Sequence, residues 1–329
     1  WDRIIQIQKT LPAVISTVLP KAAPFLGAAI ITYKLIESLS IKWLGDAAEL
    51  ASISKSPPGN VTTEMGLVLG DAADVVRNHP AVIEYLKHAG NATFFEELRD
   101  VSGGEVVLPV LLSFLERYGM RGTGEIDITR PRWREAPTQL VPGILGHIES
   151  VKPGQHRLDF MAGKVEAEHA AERLLDRLRE TPGGPFKVKR MQRLIKVYRS
   201  LIGIREHPKY LIVQNLDIIK QVIMEEADQL VANGILEHPE DVFWFSLHEI
   251  KEMIETQRVD RNIITARKEK FRCDEKLAPP RAITSEGEKI MVKPGANVPP
   301  GALAGSPVSG GTVEGCARVI LRLEEAKME

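Results

Sequence analysis

The last twenty-five residues constrain the fold most tightly. They run from Gly305 to Glu329 and contain a Gly/Ser turn, an alternating stretch from Thr312 to Ile320, and an acidic segment. The alternation predicts one β-strand. A single strand cannot form a sheet, because its backbone donors and acceptors stay unpaired. We therefore expect this segment to open a second domain. We also expect the chain, which begins at Trp1, to be a piece of a longer protein.

The spacing of apolar residues predicts a helical domain at residues 1–276. Apolar residues recur at three- and four-residue intervals from Val61 to Val75, directly after Gly59-Asn60. Ser246 and Glu249 fit a capping box for a later helix. Aromatic residues make up only 5% of the chain, which suits helices that pack through aliphatic side chains.

A Pro- and Gly-rich stretch follows at 277–304, and it includes Pro299-Pro300-Gly301. Because proline stiffens a chain, this stretch predicts a semi-rigid linker. The predicted fold is therefore mainly α. It comprises a multi-helix substrate-binding domain at 1–276, the linker at 277–304, and the first strand of an α/β domain at 305–329.

The segment from Leu11 to Tyr33 is apolar enough to raise the question of a membrane span. Pro12, Pro20 and Pro24 interrupt it, and its longest uncharged run is far shorter than the ~20 residues that a span needs. We expect buried helices separated by proline turns, and no membrane partner.

Composition argues against several classes of partner. The net charge is −1, which exerts no general attraction for nucleic acid or membrane. Lys187–Lys209 is locally basic, but aromatic residues are not interleaved with its basic ones as on a nucleic-acid surface, so nucleic acid is not expected. Cys273 and Cys316 predict free thiols of a cytoplasmic protein. The eight histidines show no paired ligand spacing, so no metal site is expected.

Two cations interrupt an apolar heptad seam in the long helical run from 186 to 232. Steps of four and three residues place apolar or aromatic side chains at every position except Arg205 and Lys209. The seam positions are Met191, Ile195, Tyr198, Ile202, Arg205, Lys209, Ile212, Leu216, Ile219 and Ile223. A cation on a packed seam needs a partner or a polar cleft, and a phosphate or carboxylate ligand would supply one. The alternative is that Pro208 breaks the helix and exposes both side chains, or that an internal salt bridge satisfies them.

Arg121, Glu125 and Asp127 are further candidates for a binding site. They lie in a glycine-rich segment whose spacing matches neither a P-loop nor a dinucleotide fingerprint. They predict either a structural ion network or side chains that line a substrate cleft.

Three segments carry a resemblance to the phosphoenolpyruvate-utilising enzymes. The segment from Gly305 to Ile320 resembles the opening of their swivelling phosphohistidine domain. Gly203-Ile-Arg-Glu-His-Pro-Lys209 resembles an Arg-x-x-x-Lys element in the acceptor-binding domain of rifampin phosphotransferases. The segment from Tyr118 to Asp127 is similar to another part of that domain. The long helical part before the phosphohistidine-domain opening also resembles the domain order of rifampin phosphotransferases.

This resemblance implies a phosphotransferase that works in three parts. An ATP-grasp domain, absent here, uses ATP and Mg²⁺ to phosphorylate a histidine that lies beyond the C-terminus. The swivelling domain then carries the phosphate to a hydroxyl acceptor, a rifamycin or a pyruvate-like molecule, held by the helical domain. Arg205 and Lys209 would stabilise the transferring phosphoryl group, and Arg121, Glu125 and Asp127 would line the acceptor cleft. The chain alone should be inactive and hold no cofactor.

Two alternatives to a rifampin phosphotransferase remain open from the sequence. One is an enzyme of the phosphoenolpyruvate synthase type, with pyruvate as acceptor. The other is a non-catalytic helical module that binds a protein or nucleic acid.

Overall fold

The computed structural model describes residues 2–277, 280 and 282–290. The predicted strand at 305–329, most of the predicted linker, and Cys316 lie outside the described residues. Cys273 is an exposed free cysteine.

The prediction of a mainly α fold is confirmed. The described residues form twelve α-helices, three 3-10 helices and one two-stranded antiparallel ribbon, which pairs β1 (Ala282–Ile283) with β2 (Lys289–Ile290). The helices are α1 (Asp2–Leu44), α2 (Leu50–Ile53), α3 (Val61–Val76), α4 (Pro80–His88), α5 (Phe94–Asp100), α6 (Gly104–Tyr118), α7 (Val141–Ser150), α8 (Gln155–Arg179), α9 (Gly184–Ile202), α10 (His207–Ala232), α11 (Leu247–Thr256) and α12 (Arg261–Asp274). The 3-10 helices are Pro137–Leu140, Gly203–Glu206 and Pro239–Trp244.

Local capping fixes where two helices begin, and one of these caps, at Ser246, was predicted. The side chain of Asn60 accepts hydrogen bonds of 3.0 Å from the backbone N–H groups of Thr62 and Thr63 at the start of α3. Ser246 and Glu249 form the reciprocal capping box at the start of α11. These side chains satisfy backbone donors that have no partner within the helix.

The predicted proline turns near the N-terminus are wrong. Residues Asp2–Leu44 form one helix, with Pro12, Pro20 and Pro24 inside it. The φ angle that proline imposes is compatible with a helix, so each proline removes a hydrogen bond without ending α1 here. By length and composition alone, Ser16–Leu44 is the one helix among the described residues that could cross a membrane.

Three apolar cores organise the helical unit. The first lies among α3, α4, α5, α6 and α7, and the second lies among α10, the 3-10 helix Pro239–Trp244, α11 and the start of α12. The third joins α1, α2, α8 and α9. Helix α9 therefore belongs to the third core, whereas α10 contributes Tyr210 to the first and Ile219–Leu230 to the second. The turn between α9 and α10 therefore leads from the third core to the helix that contacts the first two.

The chain divides into two compact units, Trp1–Ile264 and Thr265–Glu329. All three cores lie in the first unit. The domain boundaries predicted at residues 276 and 304 stay predictions.

Candidate functional site

The turn that carries Arg205 and Lys209 interrupts the predicted seam. Helix α9 ends at Ile202, a 3-10 helix spans Gly203–Glu206, and α10 begins at His207. Pro208 has no N–H for the usual helical bond, and the chain tightens into a 3-10 turn before it. Both cations are exposed. The interruption lies at Gly203–Glu206, before Pro208, and both cations are exposed and paired with carboxylates of the chain, as the alternative to a packed seam expected.

A close approach between backbones fixes this turn. A Cβ atom on Gly203 would lie 2.0 Å from the carbonyl oxygen of Pro58 and 3.0 Å from the carbonyl carbon of Gly59. Only glycine permits this contact. The turn is therefore held against the loop that precedes α3.

A buried carboxylate joins two of the candidate cations. Glu125 Oε1 lies 2.9 Å from Lys209 Nζ, and Glu125 Oε2 accepts a 2.5 Å hydrogen bond from Arg121 Nε. The Glu125 side chain is 6% exposed, whereas that of Lys209 is 51% exposed. Burial alone would raise the pKa of Glu125, but the hydrogen bonds from Arg121 and Lys209 outweigh it and lower the pKa. Glu125 is therefore ionised at neutral pH, and the group Arg121–Glu125–Lys209 (the ion triad) carries one net positive charge.

Two other candidates stand apart from the ion triad. Asp127 accepts hydrogen bonds from the backbone N–H and the hydroxyl of Thr129, within its own loop. Arg205 pairs with its neighbour Glu206 at 3.0 Å, and its side chain is 68% exposed. The structure thus brings together Arg121, Glu125 and Lys209, and it satisfies Asp127 and Arg205 locally.

The loop 119–136 carries a buried arginine that sequence reasoning missed. Arg132 is fully buried, and its Nη1 donates a 2.6 Å hydrogen bond to the backbone carbonyl of Glu125. The side chains of Ile128 and Trp133 pack against the second and first cores respectively. Arg132 therefore supports the segment that presents Glu125.

Two ion pairs hold the same loop on α10. Lys220 is buried and lies 2.6 Å from Glu135, and it also donates to the carbonyl of Arg130. Asp217 lies 3.3 Å from Arg134. Burial raises the pKa of Asp217, and the charge of Arg134 opposes that shift. In the sequence, these ion pairs are indicated only by Asp217 and Lys220, two charged residues that directly follow the apolar positions Leu216 and Ile219.

A cavity of about 380 Å³ adjoins the turn. Its wall includes Pro58, whose carbonyl contacts the Gly203 backbone, and Arg117, whose carbonyl lies 3.4 Å from the Tyr210 hydroxyl. The wall mixes apolar and charged side chains, as small-molecule sites do. The lining residues are Pro57, Pro58, Gly59, Asn60, Thr63, Glu64, Leu67, Val68, Arg117, Arg157 and Phe160.

Residues that could hold a metal ion lie elsewhere in the first unit. Asp74, His147 and His156 each offer one ligand atom, and these atoms lie within 4.8 Å of one another. Sequence spacing did not indicate this group, because its members come from three separate helices.

Comparison with known proteins identifies relatives over most of the chain. Residues 21–206 match the family model described as the rifampicin phosphotransferase fourth domain. The rifampicin phosphotransferase of Bacillus subtilis strain 168 is 41% identical over 311 residues, which are 94% of this chain and 36% of that protein. Those of Streptomyces sviceus and Bacillus cereus are 44% and 43% identical, each over 88% of this chain and 33% of the relative. The chain thus spans about a third of the length of these relatives.

Proposed function

The chain belongs to the rifampicin phosphotransferase family, and from this membership we propose that it holds the hydroxyl acceptor of an ATP-dependent phosphotransferase. In this proposal the phosphate passes from ATP through a phosphohistidine to the acceptor. The names of the relatives favour a rifamycin over pyruvate as acceptor, so the reaction would inactivate an antibiotic in the cytoplasm. The chain alone would bind the acceptor without phosphorylating it.

The glycine-rich segment of this chain does not fit a nucleotide. A Cβ on Gly119 would lie 2.3 Å from the carbonyl of Leu115, and one on Gly122 would lie 2.7 Å from that of Pro131. The two glycines thus serve close backbone packing within this segment, and in our proposal ATP and Mg²⁺ bind to other parts of the enzyme.

The ion triad is the observation that carries the proposal. Phosphoryl transfer depends chiefly on cations placed where negative charge develops. Glu125 restrains Lys209 from the buried side, while half of the lysine side chain remains exposed to an incoming anion. A phosphoryl group can share this ammonium with Glu125, because a lysine nitrogen has three donors.

Arg205 would supply the second cation. Among the described residues, Glu206 is the acidic partner of its guanidinium. Because the arginine side chain is exposed, it can turn toward a ligand. Arginine binds phosphate oxygens bidentately, which adds orientation to charge. Arg205 lies in the 3-10 turn that leads into the first turn of α10, where Lys209 lies, and in this proposal one phosphoryl group engages both.

The cavity beside the turn would receive part of the acceptor. Leu67, Val68 and Phe160 offer apolar contacts, whereas Arg117 and Arg157 offer hydrogen-bond donors. This combination suits an apolar molecule with several oxygen atoms. We therefore expect substitutions that fill the cavity, such as Val68→Trp, to weaken the binding of rifampicin.

A chimera tests the proposal. This chain would replace the matching residues of the Bacillus subtilis relative, and rifampicin phosphorylation would be followed with ATP present. We expect phosphorylated rifampicin, and we expect the isolated chain to bind rifampicin without modifying it. A folded isolated chain that does not bind rifampicin at millimolar concentration would contradict the choice of acceptor.

A further inference from the structure

Three helices bring Asp74, His147 and His156 together, apart from the ion triad. Asp74 lies on α3, His147 on α7, and His156 in the first turn of α8. Their side chains are largely buried, with between 11% and 20% of the surface exposed. The sequence predicted no metal site, because no single segment of it carries two histidines at the spacing of metal ligands.

The two imidazoles point unpaired nitrogens at one carboxylate. His156 Nδ1 lies 3.7 Å from Asp74 Oδ2, and His147 Nε2 lies 3.9 Å from Asp74 Oδ1. Both nitrogens are buried and make no hydrogen bond to the described residues. These distances are too long for hydrogen bonds. Bonds of about 2.0 Å to a tetrahedral metal need ligand atoms ~3.3 Å apart, so the three side chains, whose ligand atoms lie within 4.8 Å of one another, would draw closer together on binding.

A second carboxylate orients the ring of His156. Its Nε2 lies 2.9 Å from Asp71 Oδ1, and Asp71 is itself held by Arg157. Asp71 also accepts a hydrogen bond from Arg157 Nε, which fixes the carboxylate beside His156. His156 Nε2 is therefore engaged by Asp71, and Nδ1 is the ring nitrogen that faces Asp74. Metal-binding histidines commonly donate their other N–H to a carboxylate in this way.

Close packing preorganises the two rings. They meet edge to face with centroids 4.8 Å apart. A Cβ on Gly70 would lie 2.7 Å from His156 Cδ2 and 2.9 Å from His147 Cε1, so only glycine leaves room for both.

The surroundings of Asp74 allow it to act as a ligand. Its Oδ2 accepts a 2.7 Å hydrogen bond from the Gly154 backbone. Arg77 is the opposing cation, 3.4 Å from Oδ1, but its guanidinium also donates to the carbonyls of Ile148 and Val151. Each carboxylate oxygen has a second lone pair that these contacts leave available.

We propose that Asp74, His147 and His156 bind a divalent transition metal of the zinc class and thereby tie α3, α7 and α8 together. Two imidazoles and one carboxylate suit Zn²⁺ and disfavour Ca²⁺ and Mg²⁺, which prefer all-oxygen sites. Water would complete a tetrahedral shell. The inference does not depend on the proposed function, because it concerns residues outside the ion triad.

Zinc titration of the chelator-treated chain tests this site. By calorimetry we expect one Zn²⁺ per chain with micromolar or tighter affinity, no binding of Mg²⁺, and a higher melting temperature with Zn²⁺. His147→Ala and His156→Ala should each weaken binding by at least about 30-fold. His169→Ala is the matched control, since His169 is an exposed histidine on α8, and it should bind zinc as the parent does.

A second measurement keeps the test valid if an alanine variant does not fold. Co²⁺ added to the parent chain should give intense visible absorption typical of tetrahedral coordination, and Zn²⁺ should abolish that absorption by displacement. Absence of stoichiometric Zn²⁺ binding, weak octahedral Co²⁺ spectra, or a folded His147→Ala variant with parental zinc affinity would each overturn the proposal.

Discussion

Lys209 Nζ lies 2.9 Å from Glu125 Oε1, which joins the first turn of α10 to a loop far away in the sequence. The lysine is half exposed and the glutamate is buried. The buried carboxylate of Glu125 therefore holds the ammonium group of Lys209 in place at the surface. The same contact gives the helical unit both a stabilising ion pair and a candidate anion site.

Glu125→Gln should destabilise the chain. The substitution keeps the volume but leaves Arg121 with a neutral partner in a buried setting. We expect the free energy of unfolding to fall by about 2–3 kcal/mol, because removing one partner of a buried ion pair leaves an uncompensated charge. Urea denaturation followed by circular dichroism measures this. Glu116→Gln, at an exposed position of α6, should change the stability by less than about 0.5 kcal/mol.

The contribution of Glu125 should depend on pH in a defined direction. Its pKa in the folded chain lies below the ordinary value of 4.5. The stabilisation is therefore fully present above the unfolded-state pKa and is lost as the pH falls through the lower folded-state pKa. The stability difference between the parent and Glu125→Gln should be constant from about pH 7 to about pH 5 and should shrink at lower pH. A difference that grows on acidification would contradict the assignment.

Gly203→Ala should disturb the turn that carries Arg205. The added Cβ would lie 2.0 Å from the Pro58 carbonyl, so the turn or the loop must move. We expect a loss of about 1–3 kcal/mol in the free energy of unfolding. Gly66→Ala is the control, because Gly66 is exposed in α3 with open space at the Cβ position. That change should stabilise the chain by about 0.5–1 kcal/mol.

Lys220→Met should loosen the loop 119–136 selectively. It removes the ion pair to Glu135 and the hydrogen bond to the Arg130 carbonyl, which hold the loop on α10. Amide hydrogen exchange should become at least about tenfold faster in this loop, while α3 and α4 keep their protection. Lys196→Met, at an exposed site on α9, should leave exchange unchanged. Uniformly faster exchange throughout the chain would indicate global destabilisation instead.

Local signals made several features predictable from the sequence. Residues a few positions apart determine the helix start after Asn60, the capping box of Ser246 and Glu249, and the helical character of the chain. Arg205 and Lys209 also stood out, because they are cations in an apolar pattern. Their roles in phosphoryl transfer stay predictions.

Tertiary contacts account for what the sequence did not show. The partner of Lys209 lies in another element, and no periodicity identifies it. Burial of Arg132 and Lys220 depends on how the loop 119–136 folds onto α10. The grouping of His147 with His156 likewise requires the packing of α7 and α8 against α3.

The most direct test of the account is the rate of phosphate transfer by the Bacillus subtilis chimera carrying Lys209→Ala. We expect kcat for rifampicin phosphorylation to fall by about 100-fold or more, since a cation that stabilises the transferring group is lost. Rifampicin binding should change by less than about threefold, and Lys196→Ala should retain parental activity. If Lys209→Ala keeps the parental kcat, the ion triad is purely structural and the central claim is wrong.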